Sequence, residues 1–205
     1  MRRLLVVRHG QTLENAQGRM VSTSDPSLSP SGMAQVEALA ESLAHVQMTR
    51  IISSPMLRCR QTTEALARRQ PATTRVDVDE KLRELRFGEI EGLSPAEIAE
   101  RGLGEMFVDW RQGRPPRYPV GAETFDNAAT RLSAVYDDAI ADLDGCVVLV
   151  GHSHALRILL AVSVLGVVPE AHRRMKLDHG AVTEVRWEGA VARLTALNAR
   201  TLSAD

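Results

Sequence analysis

Two segments of the chain place histidine directly after a short apolar run. Arg8-His9-Gly10 follows the apolar residues 4–7, and Gly151-His152-Ser153-His154 follows the apolar residues 146–150. Each run has the length and composition of a buried β-strand. Because ligands collect outside the carboxyl ends of the strands in an open parallel sheet, we expect both histidines at one edge of the sheet.

Arginine and glutamate extend the chemistry that these histidines suggest. Arg58 follows a predicted strand at 50–53 and lies in the first turn of a helix, where free N–H groups and the helix dipole favour an anion. Arginine binds phosphoryl oxygens two at a time, and a neutral imidazole can attack phosphorus to form a phosphoramidate. Glu84 follows a third predicted strand and can reach the same edge to protonate the leaving alkoxide. The set therefore predicts phosphoryl transfer.

Apolar runs and helical spacings predict the elements that position these residues. Strands are predicted at 4–7, 50–53, 76–78, 146–150, 181–187 and 191–198, and helices at 31–45, 55–69, 94–101, 105–111, 123–143 and 154–165. Strands that alternate with helices favour a three-layer α/β/α sandwich around a mostly parallel sheet. We expect residues 1–205 to form a single domain.

Residues 86–122 are predicted to be a helical lid or insertion. The segment is rich in glycine and contains the Pro115-Pro116 pair, which is typical of a functional surface segment rather than of a second core. Trp110 lies in this segment with three arginines, Arg111, Arg114 and Arg117. The group could bind an anionic tail, but a solvated surface is the favoured interpretation.

The composition of the chain excludes several classes of partner. The 205 residues carry 25 basic and 26 acidic side chains, for a formal net charge of −1. No surplus of cations is therefore available for nucleic acid or an anionic membrane. The first apolar run is too short for a secretory signal, and no apolar stretch is long enough to cross a bilayer. We expect a cytoplasmic protein, as a monomer or a homodimer, that binds neither nucleic acid nor membrane.

The spacing of cysteine and histidine predicts no metal site. Cys59 and Cys146 are too few for a disulfide framework and lack metal-binding spacing, and Cys59 is expected to pack within its helix. His152 and His154 are spaced like two zinc ligands, but no third ligand accompanies them. The sequence therefore predicts neither a metal nor another cofactor.

Four ordered motifs, each at the end of a predicted strand, resemble those of the histidine phosphatase superfamily, also called phosphoglycerate mutase-like. The motifs are Arg8-His9-Gly10-Gln11-Thr12, Ser53-Ser54-Pro55-Met56-Leu57-Arg58, Leu82-Arg83-Glu84-Leu85-Arg86-Phe87-Gly88-Glu89-Ile90-Glu91-Gly92 and Gly151-His152-Ser153-His154. The resemblance covers essentially the whole chain and favours the phosphatase branch.

The resemblance implies a catalytic role for each matching residue. His9 would be the nucleophile that becomes phosphorylated. Glu84 would be the general acid and would later activate water. The groups that bind the phosphoryl group and stabilise its charge in the transition state would be Arg8, Arg58 and His152.

The resemblance also implies a set of residues that contact phosphate or substrate. Thr12 and Asn15 match positions where the family commonly places a hydroxyl and an amide for this purpose. The other members of the predicted set are Gly10, Ser153 and His154.

Some residues depart from the family pattern or allow more than one interpretation. His154 stands where many relatives have Gly or Asn, so its imidazole could favour a second anionic group on the substrate or could cap a helix. Residues 19–26 replace a commoner Gln-Gly, which leaves the substrate side of the pocket unpredicted. Glu123 could cap the long helix or contact substrate, and no pattern supports a role for His172 or His179.

The function predicted on this basis is hydrolysis of a small phosphomonoester by a metal-independent phosphatase. Three alternatives stay open: a cofactor-dependent phosphoglycerate mutase, a phosphoprotein phosphatase, and a non-catalytic module that binds a phosphorylated ligand. The chain length and the segment Glu84-Leu85-Arg86-Phe87-Gly88, which differs from the Glu-Arg-His-Tyr-Gly of the mutases, favour the phosphatase.

Overall fold

The computed structural model describes residues 2–112, 118–141 and 144–202. Several features predicted from the sequence lie outside these residues: the Pro115-Pro116 pair, Arg114, Arg117 and the predicted helix end at Leu143.

Six strands form one sheet, in the order β3-β2-β4-β1-β5-β6. The strands are β1 (Arg3–Arg8), β2 (Arg50–Ser53), β3 (Arg75–Val78), β4 (Cys146–Gly151), β5 (Val182–Glu188) and β6 (Val191–Ala199). Strand β4 pairs in parallel with β1 and β2, and β2 pairs in parallel with β3, whereas β5 runs antiparallel to β1 and to β6. The predicted mostly parallel sheet is confirmed, and each strand lies within one residue of its predicted bounds.

Seven α-helices connect the strands of the described chain. They are α1 (Leu13–Ala16), α2 (Pro30–Ser42), α3 (Leu57–Ala67), α4 (Pro95–Glu100), α5 (Gly104–Gln112), α6 (Phe125–Ala141) and α7 (Ser153–Leu159). The helix predicted at 154–165 divides into α7 and a π-helical segment, Leu160–Val164. The short helix α1 was not predicted. Within the described residues, no helix has the length and apolar character that a membrane span requires.

The sheet lies between two layers of helices, because alternate side chains of each central strand point to opposite faces. In β1, Leu4 and Val6 join one apolar cluster, which includes residues of α6 and α7. Leu5 and Val7 join the other, which includes residues of α2 and α3. A continuous apolar run is therefore required in β1, since both faces are buried. The predicted three-layer sandwich is confirmed.

The middle segment adds to this core, and one prediction about it is wrong. Trp110 was expected on a solvated surface, but its side chain is only 4% exposed. Its ring meets Phe87 edge-on at 5.7 Å and stacks on Phe107 at 6.1 Å. These aromatic residues bury a large apolar area in the apolar cluster that includes residues of α6 and α7. This burial outweighs the preference of the polar sequence around Trp110 for solvent.

Two glycines fix the loop that follows β1 against the start of α2. A Cβ on Gly32 would lie 2.0 Å from the backbone oxygen of Gln11, and a Cβ on Gly10 would lie 2.6 Å from the backbone oxygen of Gly32. The N–H of Gly10 donates to Thr62 Oγ1 at 3.2 Å. Gly10 was predicted to contact substrate, but its N–H is already bonded within the protein. The structure therefore gives Gly10 a packing role.

We expect the substitution Gly32→Ala to lower the free energy of unfolding by about 2 kcal/mol or more, because the added methyl group overlaps backbone atoms that have no room to move. Urea denaturation measures this change. Gly104→Ala is a matched control, since a Cβ there meets Ala99 at an ordinary 3.5 Å. Equal stability of Gly32→Ala and the parent protein would contradict the argument.

Candidate active site

His9 and His152 meet at the carboxyl edge of the sheet. Strands β1 and β4 are parallel neighbours with Arg8 opposite Gly151, so the residue that follows each strand reaches the same place. The two imidazole centroids are 5.2 Å apart. The rings are buried, with 4% and 1% of His9 and His152 exposed.

The ring of His9 has a defined tautomer. Its Nδ1 lies 2.6 Å from the backbone oxygen of Gly10, and a carbonyl oxygen only accepts, so Nδ1 carries the proton and Nε2 keeps its lone pair. Burial lowers the pKa of His9 well below its usual value, and the neighbouring His152, Arg8 and Arg58 lower it further. His9 is therefore neutral, as a nitrogen nucleophile must be.

His152 lies between the hydroxyl of Ser54, which follows β2, and the thiol of Cys59, which is in the first turn of α3. Its Nε2 is 2.8 Å from Ser54 Oγ and 3.4 Å from Cys59 Sγ. Burial and the charge of Arg58 lower the pKa of His152 to about 3. Burial raises the pKa of the Cys59 thiol to about 12. Cys59 is thus an inert packing residue, in line with the sequence.

Arg8 is held by groups from the segment that leads into β5. Its Nη1 donates to the backbone oxygen of Leu177 at 2.6 Å, and its Nη2 donates to His179 Nε2 at 2.8 Å. Burial and the charge of Arg8 lower the pKa of His179 to about 3, so the ring can accept. Burial lowers the pKa of Arg8 to about 10, which leaves the guanidinium charged at neutral pH.

Sequence reasoning missed His179, although a signal for it exists. Strand β5 runs antiparallel to β1, so residues that precede β5 lie beside the carboxyl end of β1. His179 is two residues before Ala181, at that position in the chain, and its ring is 5.5 Å from that of His9. Position before β5 indicates a site residue only when β5 is known to be the neighbour of β1.

Arg58 is fully buried in the first turn of α3. Its Nη1 donates to the backbone oxygen of Ser24 at 2.9 Å and its Nη2 to that of Ser22 at 3.1 Å. Asp25 Oδ1 lies 3.8 Å from Nη1 and accepts from the N–H of Leu57. The segment that departs from the family pattern therefore orients Arg58. In the described chain, the buried Nε atoms of Arg8 and Arg58 have no hydrogen-bond partner.

Glu84 reaches the same edge by binding the start of α7. One carboxylate oxygen accepts from the N–H groups of Leu85 and Ala155, at 3.0 and 2.9 Å, and the other accepts from the N–H of His154 at 3.1 Å. Burial alone raises the pKa of this carboxyl, but the hydrogen bonds that it accepts, those from His154 first among them, outweigh burial. The pKa of Glu84 therefore lies well below its usual value, and the free protein holds a carboxylate.

His154 lies against Glu84 rather than capping a helix. The Nδ1 of its ring is 3.6 Å from the Glu84 carboxylate. The ring packs against Phe87, Trp110 and His172 at 5.3, 5.3 and 5.6 Å. The proposed alternative of a cap finds no support, because the N–H groups of His154 and Ala155 at the start of α7 bond to Glu84 and not to the His154 side chain. The neighbouring Ser153 accepts a bond from Arg157 through its backbone oxygen at 2.8 Å.

Thr12 and Asn15 form the capping box of α1. Thr12 Oγ1 accepts from the N–H of Asn15 at 3.2 Å, and Asn15 Oδ1 is 3.0 Å from His179 Nε2. Thr12 is fully buried, so its hydroxyl has a structural role here. Asn15 contacts the site through His179.

Glu123 neither begins a helix nor lines the histidine pair. Its carboxylate binds Arg131 at 2.7 and 2.9 Å, and Arg131 also donates to the backbone oxygen of Arg83 at 2.9 Å. The Glu123–Arg131 ion pair thus fixes the chain directly before Glu84. Over residues 2–112, 118–141 and 144–202, no three His, Cys, Asp or Glu side chains are placed to hold a metal ion.

Comparison with known proteins identifies the family. The model of the histidine phosphatase superfamily (branch 1) matches residues 4–200. The glucosyl-3-phosphoglycerate phosphatase of Mycolicibacterium vanbaalenii is 33% identical over 91% of this chain and 92% of its own length. The 2,3-bisphosphoglycerate-dependent phosphoglycerate mutase of Cytophaga hutchinsonii is 28% identical over 87% of this chain and 84% of its own length.

A solved structure agrees with this similarity. Mycobacterial glucosyl-3-phosphoglycerate phosphatase, solved with VO3, has a TM-score of 0.84 and 30% identity over 97% of this chain and 100% of that chain. The family model matches nearly the whole chain, and the similarity to a phosphatase extends over both full lengths. The chain therefore belongs to the histidine phosphatase superfamily, branch 1, and is a phosphoric monoester hydrolase.

Proposed function

We propose that the protein hydrolyses a small phosphomonoester through a phosphohistidine at His9 and without a metal ion. The observation that carries the proposal is the neutral His9 ring, whose Nδ1 proton is bound to Gly10 and whose Nε2 is free to attack. A bond forms between Nε2 and phosphorus while the ester P–O bond breaks. Water then attacks phosphorus, the P–N bond breaks, and inorganic phosphate leaves the restored His9.

Two arginines and His152 stabilise the charge on the phosphoryl oxygens in both steps. Arg8 and Arg58 are anchored by backbone oxygens, so their orientation is set before substrate arrives. Each keeps a buried Nε that lacks a partner in the described chain and can donate to an oxyanion. Such preorganised donors act strongly because the site excludes water.

Glu84 supplies the proton in the first step and removes one from water in the second. The carboxylate is ionised in the free protein. A dianionic phosphoryl group that enters beside it raises the carboxyl pKa by like-charge repulsion, which favours uptake of the proton that the leaving alkoxide needs. The deprotonated form that remains is the base required for hydrolysis.

His179 positions Arg8 rather than reacts. His179 Nε2 accepts from the Arg8 guanidinium at 2.8 Å. Because a guanidinium has only donors, the neutral His179 ring is a suitable partner for it. Asn15 Oδ1, itself an acceptor, only lies beside Nε2 at 3.0 Å, so the phosphate contact predicted for Asn15 stays a prediction.

Related proteins support a small phosphorylated metabolite as substrate, since the M. vanbaalenii relative is named a glucosyl-3-phosphoglycerate phosphatase.

We propose that residues 86–122 cover the substrate side of the site in one domain with the rest of the chain. A cytoplasmic location, a monomeric or homodimeric state and the lack of nucleic-acid or membrane partners remain proposals from the sequence.

Labelled phosphate from substrate should be trapped on the parent protein by rapid quenching, and the label should be lost at acid pH, as a phosphoramidate requires. The substitution His9→Ala should abolish both the label and the release of phosphate from p-nitrophenyl phosphate. His45→Ala is the matched control, because His45 is exposed. If the parent protein shows neither label nor turnover, a binding module is favoured. If it shows only a phosphoglycerate mutase activity that bisphosphoglycerate stimulates, the mutase is favoured.

The substitution Glu84→Gln should slow hydrolysis of alkyl phosphates about 10²- to 10⁴-fold, because the alkoxide loses its proton donor. With p-nitrophenyl phosphate, the rate of the first step should fall much less, since p-nitrophenolate leaves without a proton. Values of kcat/KM for the two substrate types measure the difference. Glu80→Gln, at an exposed carboxylate four residues earlier, is the control. An equal loss for both substrate types would exclude the acid role.

Dialysis against EDTA should leave the rate of p-nitrophenyl phosphate hydrolysis unchanged, because guanidinium groups supply the positive charge that a metal supplies elsewhere. The measurement is the steady-state rate before and after dialysis. A loss of rate that added Mg²⁺ or Zn²⁺ restores would contradict the proposal.

A further inference from the structure

A cationic cavity of about 350 Å³ adjoins the active site on the far side of His154. Its polar lining, among the described residues, consists mainly of three arginines and two histidines, and no carboxylate faces it. The residues that matter for its chemistry are Trp110, Arg111, His154, Arg157, His172 and Arg173. Three guanidinium groups around one cavity repel each other unless an anion is present.

Several buried polar atoms in this lining have no partner within the part of the chain that the structure describes. They are Trp110 Nε1, His172 Nε2, and the Nε and Nη2 atoms of Arg173. Trp110 is 4% exposed and His172 is fully buried. Buried polar groups are destabilising when they lack a hydrogen-bond partner, so this concentration of them indicates a ligand with matching groups.

The arginines of the cavity are fixed in place before any ligand binds. Arg173 lies over the rings of Trp110 and Phe125, at 5.2 and 4.7 Å from their centroids. Arg157 donates to the backbone oxygens of Ser153 and Met175, at 2.8 and 3.2 Å. Burial and the charge of Arg157 lower the pKa of Arg173 to about 10, so both remain cations at neutral pH. Fixed cations beside an indole N–H are suited to a carboxylate or a phosphate.

His172 adds an acceptor to these donors. Its Nδ1 donates to the backbone oxygen of Pro169 at 2.7 Å, so Nε2 carries the lone pair. Burial and the charge of His154 lower the pKa of His172 to about 3, which keeps the ring neutral. Nε2 therefore requires a donor from the ligand, such as a hydroxyl or an amine beside the anionic group.

The cavity is placed to receive the alcohol part of a phosphomonoester. The His154 ring lines it, and His154 Nδ1 is 3.6 Å from the Glu84 carboxylate on the other side. If Glu84 protonates the leaving oxygen, the atoms attached to that oxygen extend past His154 toward the cavity.

We propose that this cavity binds a second anionic group of the substrate, a carboxylate or a phosphate, together with an adjacent hydroxyl or amine. The inference rests on the proposed function, because it assigns the alcohol part of the substrate of that same site. Arg173 and Trp110 bind the anionic group, and His172 accepts from the neighbouring donor. These residues determine specificity and do not take part in the chemical steps.

Matched substrates test the proposal directly. 3-Phosphoglycerate carries a carboxylate and a hydroxyl. Glycerol 3-phosphate lacks the carboxylate, and the phosphate ester of 3-hydroxypropionate lacks the hydroxyl. Fructose 1,6-bisphosphate and fructose 6-phosphate form a pair that differs in a second phosphate. We expect kcat/KM to be about ten- to a hundredfold higher for the anionic member of at least one pair. Which pair shows the preference distinguishes a carboxylate from a phosphate.

Variants assign the preference to the cavity. Arg173→Gln should remove most of the preference and leave kcat/KM for the member without the second anion unchanged. Arg173→Lys should restore part of it, and Trp110→Phe, which removes only the N–H and part of the ring, should weaken it. Arg174→Gln is the control, because Arg174 is the exposed neighbour in sequence. Thermal unfolding of each variant separates a loss of binding from a loss of folding.

The outcomes separate this inference from the proposed function. Hydrolysis of p-nitrophenyl phosphate with no preference within either pair would overturn the inference alone. A preference that survives Arg173→Gln, or an equal loss for both members of a pair, would also overturn it. Failure of the parent protein to hydrolyse any of these esters or to form phosphohistidine would overturn the proposed function itself.

Discussion

The parallel pairing of β1 with β4 is the constraint on which the site depends. Both strands are buried on both faces, and their register sets Arg8 opposite Gly151. The next residue of each strand is a histidine, so pairing brings two imidazoles from distant parts of the chain within 5.2 Å. A slip in register would move every side chain of a strand to the opposite face and expose its apolar residues. Core packing therefore fixes the separation of the two imidazoles.

Burial then sets the charge state of the groups at this edge. His9, His152 and His179 have pKa values held far below the usual range, and burial is the first cause in each case. The arginines stay protonated because their intrinsic pKa is so high. Neutral imidazoles beside fixed cations form a site that is complete only with an anion. Glu84 is the acidic group at this edge, and it is bound by the start of α7.

Much of the fold followed from the sequence, and the exceptions have physical reasons. The bounds of β1, β2 and β4 were predicted within one residue, because these buried strands are short apolar runs bounded by turn residues. Helix α1 was missed because it has four residues and an Asn in place of the Glu or Gln that usually marks a capping box. Trp110 was misplaced because its neighbours in sequence are charged, while its neighbours in space are Phe87 and Phe107.

The sequence by itself determined which residue types lie at the ends of which strands, and thus the phosphoryl chemistry proposed for His9, Arg58 and Glu84. Only the tertiary structure decided the partners of those residues. His172 and His179 belong to no sequence pattern, since His179 meets Arg8 and His172 meets His154 only through the fold. Propensity and spacing are local properties, whereas an orphaned donor or a lowered pKa depends on everything packed around the group. The specificity proposed for the cavity therefore depends on the folded chain and not on any local pattern of the sequence.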